Sequence, residues 1–108
     1  MISTVELGDV YICLFPFTSG RHFKPRPVLI LRDLDPDCLI CRITSVPHQG
    51  FLDIRIAHWQ KVGLEKPSTI RLSRLVTAEK SLLKVRIGRL SDEDLDLVRQ
   101  TWNEQFRL

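Results

Sequence analysis

The sequence predicts a mainly β fold with a single long helix: a small closed or nearly closed barrel of five or six short strands, ended by a C-terminal amphipathic helix. Three observations carry this. Short runs that are wholly apolar or alternate apolar with polar recur along residues 10–88, with turn residues between them every 8–12 positions. From Ser91 onward the apolar period changes from strand-like to helical. The 108 residues suit one domain, 1–108, and no repeat, low-complexity tract or linker divides them.

Gly8-Asp9 opens the first strand, Val10-Tyr11-Ile12-Cys13-Leu14-Phe15, and Pro16 ends it or places it on an edge, since proline cannot donate to a ladder. A polar connection follows, Thr18 to Lys24. Pro25-Arg26-Pro27 pins an extended backbone, because proline restricts itself and its predecessor. Val28-Leu29-Ile30-Leu31 is the second strand, Asp33 to Asp37 a turn, and Cys38 to Ile43 the third strand. Thr44-Ser45 leads into a loop, Val46 to Gly50, and Leu52-Asp53-Ile54-Arg55-Ile56 alternates as a half-exposed strand. Ala57 to Gly63 suits a single helical turn with Gly63 as a left-handed stop. Ser68 to Leu72 and Leu82 to Gly88 complete the strands. Ser91 then caps a helix whose first turn holds Asp92, Glu93 and Asp94, where the dipole favours acids. Leu95, Val98, Trp102 and Phe106 follow at spacings of 3, 4 and 4 and form its apolar face. Trp59 and Trp102 are read as core or interface residues.

Composition excludes several classes. Hydrophobic residues at 44% and charged residues at 27% are ordinary for a globular chain and argue against disorder or a coiled coil. No apolar run approaches the roughly 20 residues that cross a bilayer. The first residues lack the basic and apolar regions of a secretory signal, so a soluble cytoplasmic protein is expected. Three cysteines are too few for a disulfide framework. Cys38-x-x-Cys41 has metal-ligand spacing, but strand alternation points its two thiols to opposite faces, and no second pair follows; no metal is expected.

Charge is unevenly placed. Residues 91–108 carry five acids and two bases, whereas residues 1–90 carry fourteen bases and eight acids. Arg21, Lys24, Arg26 and Arg32, with His22 among them, fill an acid-free stretch between Asp9 and Asp33. Lys80, Lys84, Arg86 and Arg89 fill another. A positive body with an acidic helix turned away suits a polyanion, and it equally suits a solvated basic surface.

The order of Gly8-Asp9-Val10-Tyr11, an early polar loop, Arg26-Pro27-Val28-Leu29-Ile30 and Ile43-Thr44-Ser45 is distinctive. It continues through Leu64-x-x-Pro67-Ser68, Thr77 with Glu79, and Ile87-Gly88-Arg89-Leu90-Ser91 before the capped helix. Over about residues 7–106 the chain resembles the MazF/PemK toxins of bacterial toxin–antitoxin pairs. The resemblance implies an SH3-like barrel of the MazF/CcdB type with a C-terminal helix, usually homodimeric. It implies a metal-independent endoribonuclease, without cofactor, that cleaves single-stranded RNA, often messenger RNA. A ribose 2′-hydroxyl attacks the adjacent phosphorus to leave a 2′,3′-cyclic phosphate and a 5′-hydroxyl, and a cognate antitoxin blocks the groove.

Carried residue by residue, the resemblance makes Arg26 and Thr44 the catalytic pair, with Arg71 a third catalytic candidate. A guanidinium can offer a bidentate fork to a phosphate, and a hydroxyl can hold the reacting groups in line. His22, Phe23, Lys24 and Ser45 are the candidate RNA contacts, Phe23 by stacking on a base. Where PemK-like members carry an aspartate two positions after the arginine, Ser73 stands here, and the Arg-Thr-Leu-Asp tract is altered to Val76-Thr77-Ala78-Glu79. Serine does not accept a proton near neutral pH as a carboxylate does, which leaves the general base unassigned. The alternatives are a weak or non-catalytic binder on the same scaffold, or a protein-directed poison of the gyrase-inhibiting kind. Plain turn chemistry at Thr44-Ser45 and a surface arginine at position 26 would accompany them.

Overall fold

The computed structural model describes residues 4–14 and 24–108. Its strands are β1 (Asp9–Leu14), β2 (Pro25–Asp33), β3 (Asp37–Thr44), β4 (Asp53–Arg55), β5 (Thr69–Glu79) and β6 (Leu83–Arg89). A short helix α1 (Trp59–Val62) lies between β4 and β5, and α2 (Asp92–Gln105) closes the described chain. The strands form one antiparallel sheet in the order β4-β5-β3-β2-β1-β6. Among the described residues hydrogen bonding does not close it into a ring. Instead α1, which follows edge strand β4, packs on the other edge strand, β6, and bridges the gap.

Alternation along the strands builds two cores on opposite faces of the sheet. Leu29, Cys41, Ile43, Ile70 and Leu72 point to the face covered by Leu95 and Val98 of α2, with Trp102 and Phe106 packed at its margin. Val28, Ile30, Cys38 and Ile40 point the other way, with Tyr11, Cys13 and Leu83. Cys38 and Cys41 therefore lie on opposite faces, both buried. Burial pushes the Cys13 thiol up to about 11, so it is inert as a nucleophile near neutrality.

Two elements differ from the sequence reading. β5 runs seven residues past Leu72, to Glu79. Its register on β3 jumps between Cys41↔Leu75 and Arg42↔Arg71, so Leu72, Ser73 and Arg74 form a bulge. That interruption, with the exposed Ser73 and Arg74, hides the strand from a reading based on alternation. A 3₁₀ turn, Lys80–Leu82, then precedes β6.

The helix N-terminus is tied into the fold as well as capped. Ser91 Oγ accepts from the Asp94 N–H at 3.2 Å, and the buried Asp94 carboxylate accepts the N–H groups of Ala57 and His58, both at 2.9 Å. One aspartate thus fixes both the start of α2 and the entry to α1.

Asp33, the last residue of β2, holds the N-terminal segment and the 3₁₀ turn together. Its carboxylate lies 2.8 Å from Lys80 Nζ and accepts from the N–H groups of Val5 and Asp35. The Lys80 ammonium, followed by those two N–H groups, draws its pKa from 3.8 down to about 2. A depressed carboxylate contributes stability above its unfolded pKa and loses it as pH falls through its folded one. Asp33→Asn is therefore expected to flatten the fall of the thermal midpoint between about pH 4 and about pH 2. Parallel acid limbs for the two proteins would contradict this assignment.

Candidate functional site

A groove of about 460 Å³ runs along the end of β2 and β3 and under the loop that follows α1; Arg26, Arg42, Thr44, Ser45, Glu65 and Lys66 are among its lining. Its construction follows from local sequence. β2 pairs with β1 from Pro25 onward, but its pairing with β3 begins only at Val28↔Arg42. Residues 25–27 thus present an open edge on the β3 side, where the N–H groups that two prolines lack are not required. Between those rings the Arg26 backbone is held extended, and its half-buried side chain reaches the groove.

Thr44 is the last residue of β3 and is 7% exposed. Its Oγ1 accepts from the Val46 N–H at 3.1 Å, a turn that fixes the oxygen while leaving its proton free to be donated. Ser45 follows, exposed and lining the groove. The far wall is set by Gly63, whose φ of 101° gives the left-handed stop expected of it and turns Leu64–Lys66 back over the groove. Ser68 Oγ donates to the Lys66 carbonyl at 2.8 Å and braces this loop.

Arg71 shares the sheet face but not the groove lining. On β5 it stands opposite Arg42 on one side and Asp53 of β4 on the other, and its Nε donates to Asp53 Oδ1 at 3.0 Å. Burial raises the Asp53 pKa, but the Gly50 N–H and Arg71 outweigh it and the carboxyl sits below its ordinary value. Arg71 is thereby ion-paired at one nitrogen and anchored beside Arg42. Ser73 is exposed within the bulge and lies outside the groove lining.

Of the residues singled out in the sequence, Arg26, Thr44 and Ser45 come together. Lys24 is exposed just before β2 and does not line the groove. His22 and Phe23 lie outside the described residues. Arg42, Glu65 and Lys66 were not anticipated. Arg42 was within reach of the sequence, because it precedes Thr44 by two positions on one strand and so shares its face. Among the described residues no group of three or more His, Cys, Asp or Glu is placed to hold a metal ion.

Solved structures share this architecture. The Mycobacterium tuberculosis toxin MazF-mt6 superposes with a TM-score of 0.75 at 19% identity, covering 91% of this chain and 95% of that one. A mycobacterial endoribonuclease in complex with its cognate antitoxin gives 0.75 at 14% identity, covering 94% and 93%. MazF (Form-I) from Deinococcus radiodurans gives 0.71 at 14%, covering 96% of each chain. The fold is that of the MazF toxins. In sequence, residues 6–106 match the PemK-like, MazF-like toxin family of type II toxin–antitoxin systems, and the chain belongs to that family. It is 35% identical over 95 residues to the probable endoribonuclease MazF of Mycolicibacterium smegmatis, spanning 82% of this chain and 84% of that protein.

Proposed function

We propose that this protein is the toxin of a type II toxin–antitoxin pair and cleaves single-stranded RNA without a metal ion. The observation that carries the reading is the meeting of Arg26 with Thr44 in one groove, in a chain whose relatives are named endoribonucleases. Attack by a ribose 2′-hydroxyl on the neighbouring phosphorus builds negative charge on the non-bridging oxygens, and donors fixed in advance toward that charge are the strongest catalytic device available. Arg26 supplies them as a rigid fork. Thr44 donates its hydroxyl proton to the phosphate from a pinned position. The products are a 2′,3′-cyclic phosphate and a 5′-hydroxyl. Glu65, the one carboxylate among the described groove-lining residues, is our candidate to take the 2′-hydroxyl proton, and the leaving 5′-oxygen takes up a proton from solvent. Arg71, its charge compensated by Asp53, stands beside the groove lining and takes no direct part in this step.

The partners that follow are single-stranded RNA, a cognate antitoxin covering the groove, and a second copy of the chain in a homodimer. On this reading the toxin acts in the cytoplasm, where its RNA substrate is. Among the described residues no helix is long and apolar enough to cross a membrane. The non-catalytic and gyrase-directed readings draw no support from the named relatives.

Purified protein incubated with a long single-stranded RNA in EDTA tests the reading. Cleavage is expected to persist, and the downstream fragments should accept phosphate from polynucleotide kinase without prior phosphatase treatment. Loss of cleavage on chelation, or 3′-hydroxyl ends on the upstream fragments, would refute it.

A further inference from the structure

The loop that leaves Thr44 carries the one exposed aromatic side chain among the described residues. Tyr11 is buried, and Trp59, Trp102 and Phe106 are partly covered by the core, whereas Phe51 is 73% exposed. The turn beneath it is firmly fastened. Asp53 Oδ2 accepts from the Gly50 N–H at 2.7 Å, and the Asp53 N–H donates to the Gly50 carbonyl at 3.0 Å. The Leu52 carbonyl accepts from the Leu72 N–H at 2.9 Å, and the Asp53 carboxylate is held by Arg71 at 3.0 Å. Backbone on both sides of Phe51 is thus tied down, and its ring is held out into solvent at the tip.

We propose that Phe51 stacks on an unpaired base of the RNA where the strand leaves the groove across β5 and β4, so that this turn is a second point of attachment beyond the cut. The assignment rests on the cleavage reading for the identity of the ligand. The turn stands on the groove's side of the sheet. The register aligns Thr44 of β3 with Thr69 of β5 and Arg55 of β4, and Arg42 with Arg71 and Asp53. These residues share one face, and two strand spacings separate β3 from β4 by about 10 Å. Ser45 and Val46, the first residues of the same loop, line the groove itself. Exposed Arg55, two residues after Asp53, adds a cation to that face. An aromatic ring beside cations is how single strands are held without regard to sequence, since every base has a π-face and the cations meet the backbone. A protein partner would call for a contiguous apolar patch. Phe51 instead stands alone at the end of a polar stretch, Pro47 to Gly50.

Binding of a single-stranded 20-mer RNA pool of random sequence, its 2′-hydroxyls methylated to block cleavage, tests the assignment when measured over a range of salt. Phe51→Ala is expected to weaken binding about tenfold, the loss of one stacked base. The slope of log affinity against log salt should stay at its wild-type value, because no phosphate contact is removed. Phe51→Trp should bind at least as tightly as the wild type. Inorganic polyphosphate, which has the charge and no bases, should bind Phe51→Ala and wild type equally. Leu34→Ala removes another exposed apolar side chain, in the turn at the opposite end of β3, and is expected to change nothing. Wild-type affinity for RNA in Phe51→Ala overturns the assignment, as does an equal loss for RNA and polyphosphate. A change of oligomeric state in Phe51→Ala, read by sedimentation, would also overturn it and make Phe51 a protein contact. If wild-type protein cleaves unmethylated RNA while Phe51→Ala binds as the wild type does, only the stacking assignment fails. If Phe51→Ala binds RNA selectively less well but no RNA is cut by the wild type, the platform stands and the cleavage reading fails.

Discussion

Replacing Arg26 with alanine lowers the turnover of RNA cleavage by about 10²–10³-fold, the loss typical of removing one fixed donor from an oxyanion site. The protein stays folded. Arg26 is half-buried at the start of β2, on a stretch paired only to β1, and makes no ion pair among those the structure shows. Its charge also repels Arg42, so its removal leaves the thermal midpoint near or above the wild-type value. Arg26→Lys keeps the charge but replaces a planar fork with a point donor, and should recover only a small part of the turnover. Loss of rate without loss of stability is the signature of a group aimed at the reaction. A variant that cleaves RNA at the wild-type rate, or one that unfolds in step with its loss of activity, would remove Arg26 from the chemistry.

Much of this was legible because strands and caps are local. Proline on both sides of Arg26, the alternation of Cys38 to Ile43 and the serine before three acids each determine backbone shape through their immediate neighbours. β5 was cut short because its bulge at Leu72–Arg74 breaks the period of two, and a bulge is set by what the strand pairs with. The same limit applies to the site. Arg26 and Thr44 belong to motifs, whereas Glu65 and Lys66 enter the groove only because Gly63 turns the chain behind them. In sequence Asp53 is simply the polar member of an alternating strand. Its role in anchoring Arg71 depends on the β4–β5 register, which no local pattern reveals. Ser73 looked decisive in sequence, as the missing carboxylate, yet it is exposed in the bulge and away from the groove lining.

Gly88→Ala is expected to cause the largest loss of stability among Gly→Ala changes at the described glycines. A Cβ at position 88 would stand 2.0 Å from the Val62 carbonyl oxygen and 2.9 Å from its carbon. Both are backbone atoms at the end of α1, so no side-chain rotation removes the clash. The contact is mutual, since a Cβ at Gly63 would lie 2.9 Å from the Ile87 carbonyl oxygen in a left-handed conformation that L side chains rarely adopt. This close approach is how α1 bridges the open edges of the sheet, and separating it from β6 opens the core around Val62, which is 1% exposed. Overpacking against backbone costs about 3 kcal/mol, near the top of the usual range, or on the order of 15 °C in the midpoint for a domain of this size. Because α1 leads directly into Gly63–Lys66, displacing it also moves one wall of the groove, and RNA binding should weaken even at temperatures where the variant is folded. Thermal unfolding followed by circular dichroism, with binding measured well below the midpoint, checks both effects. Equal midpoints for Gly88→Ala and the wild type would mean that α1 does not seat on β6 as described.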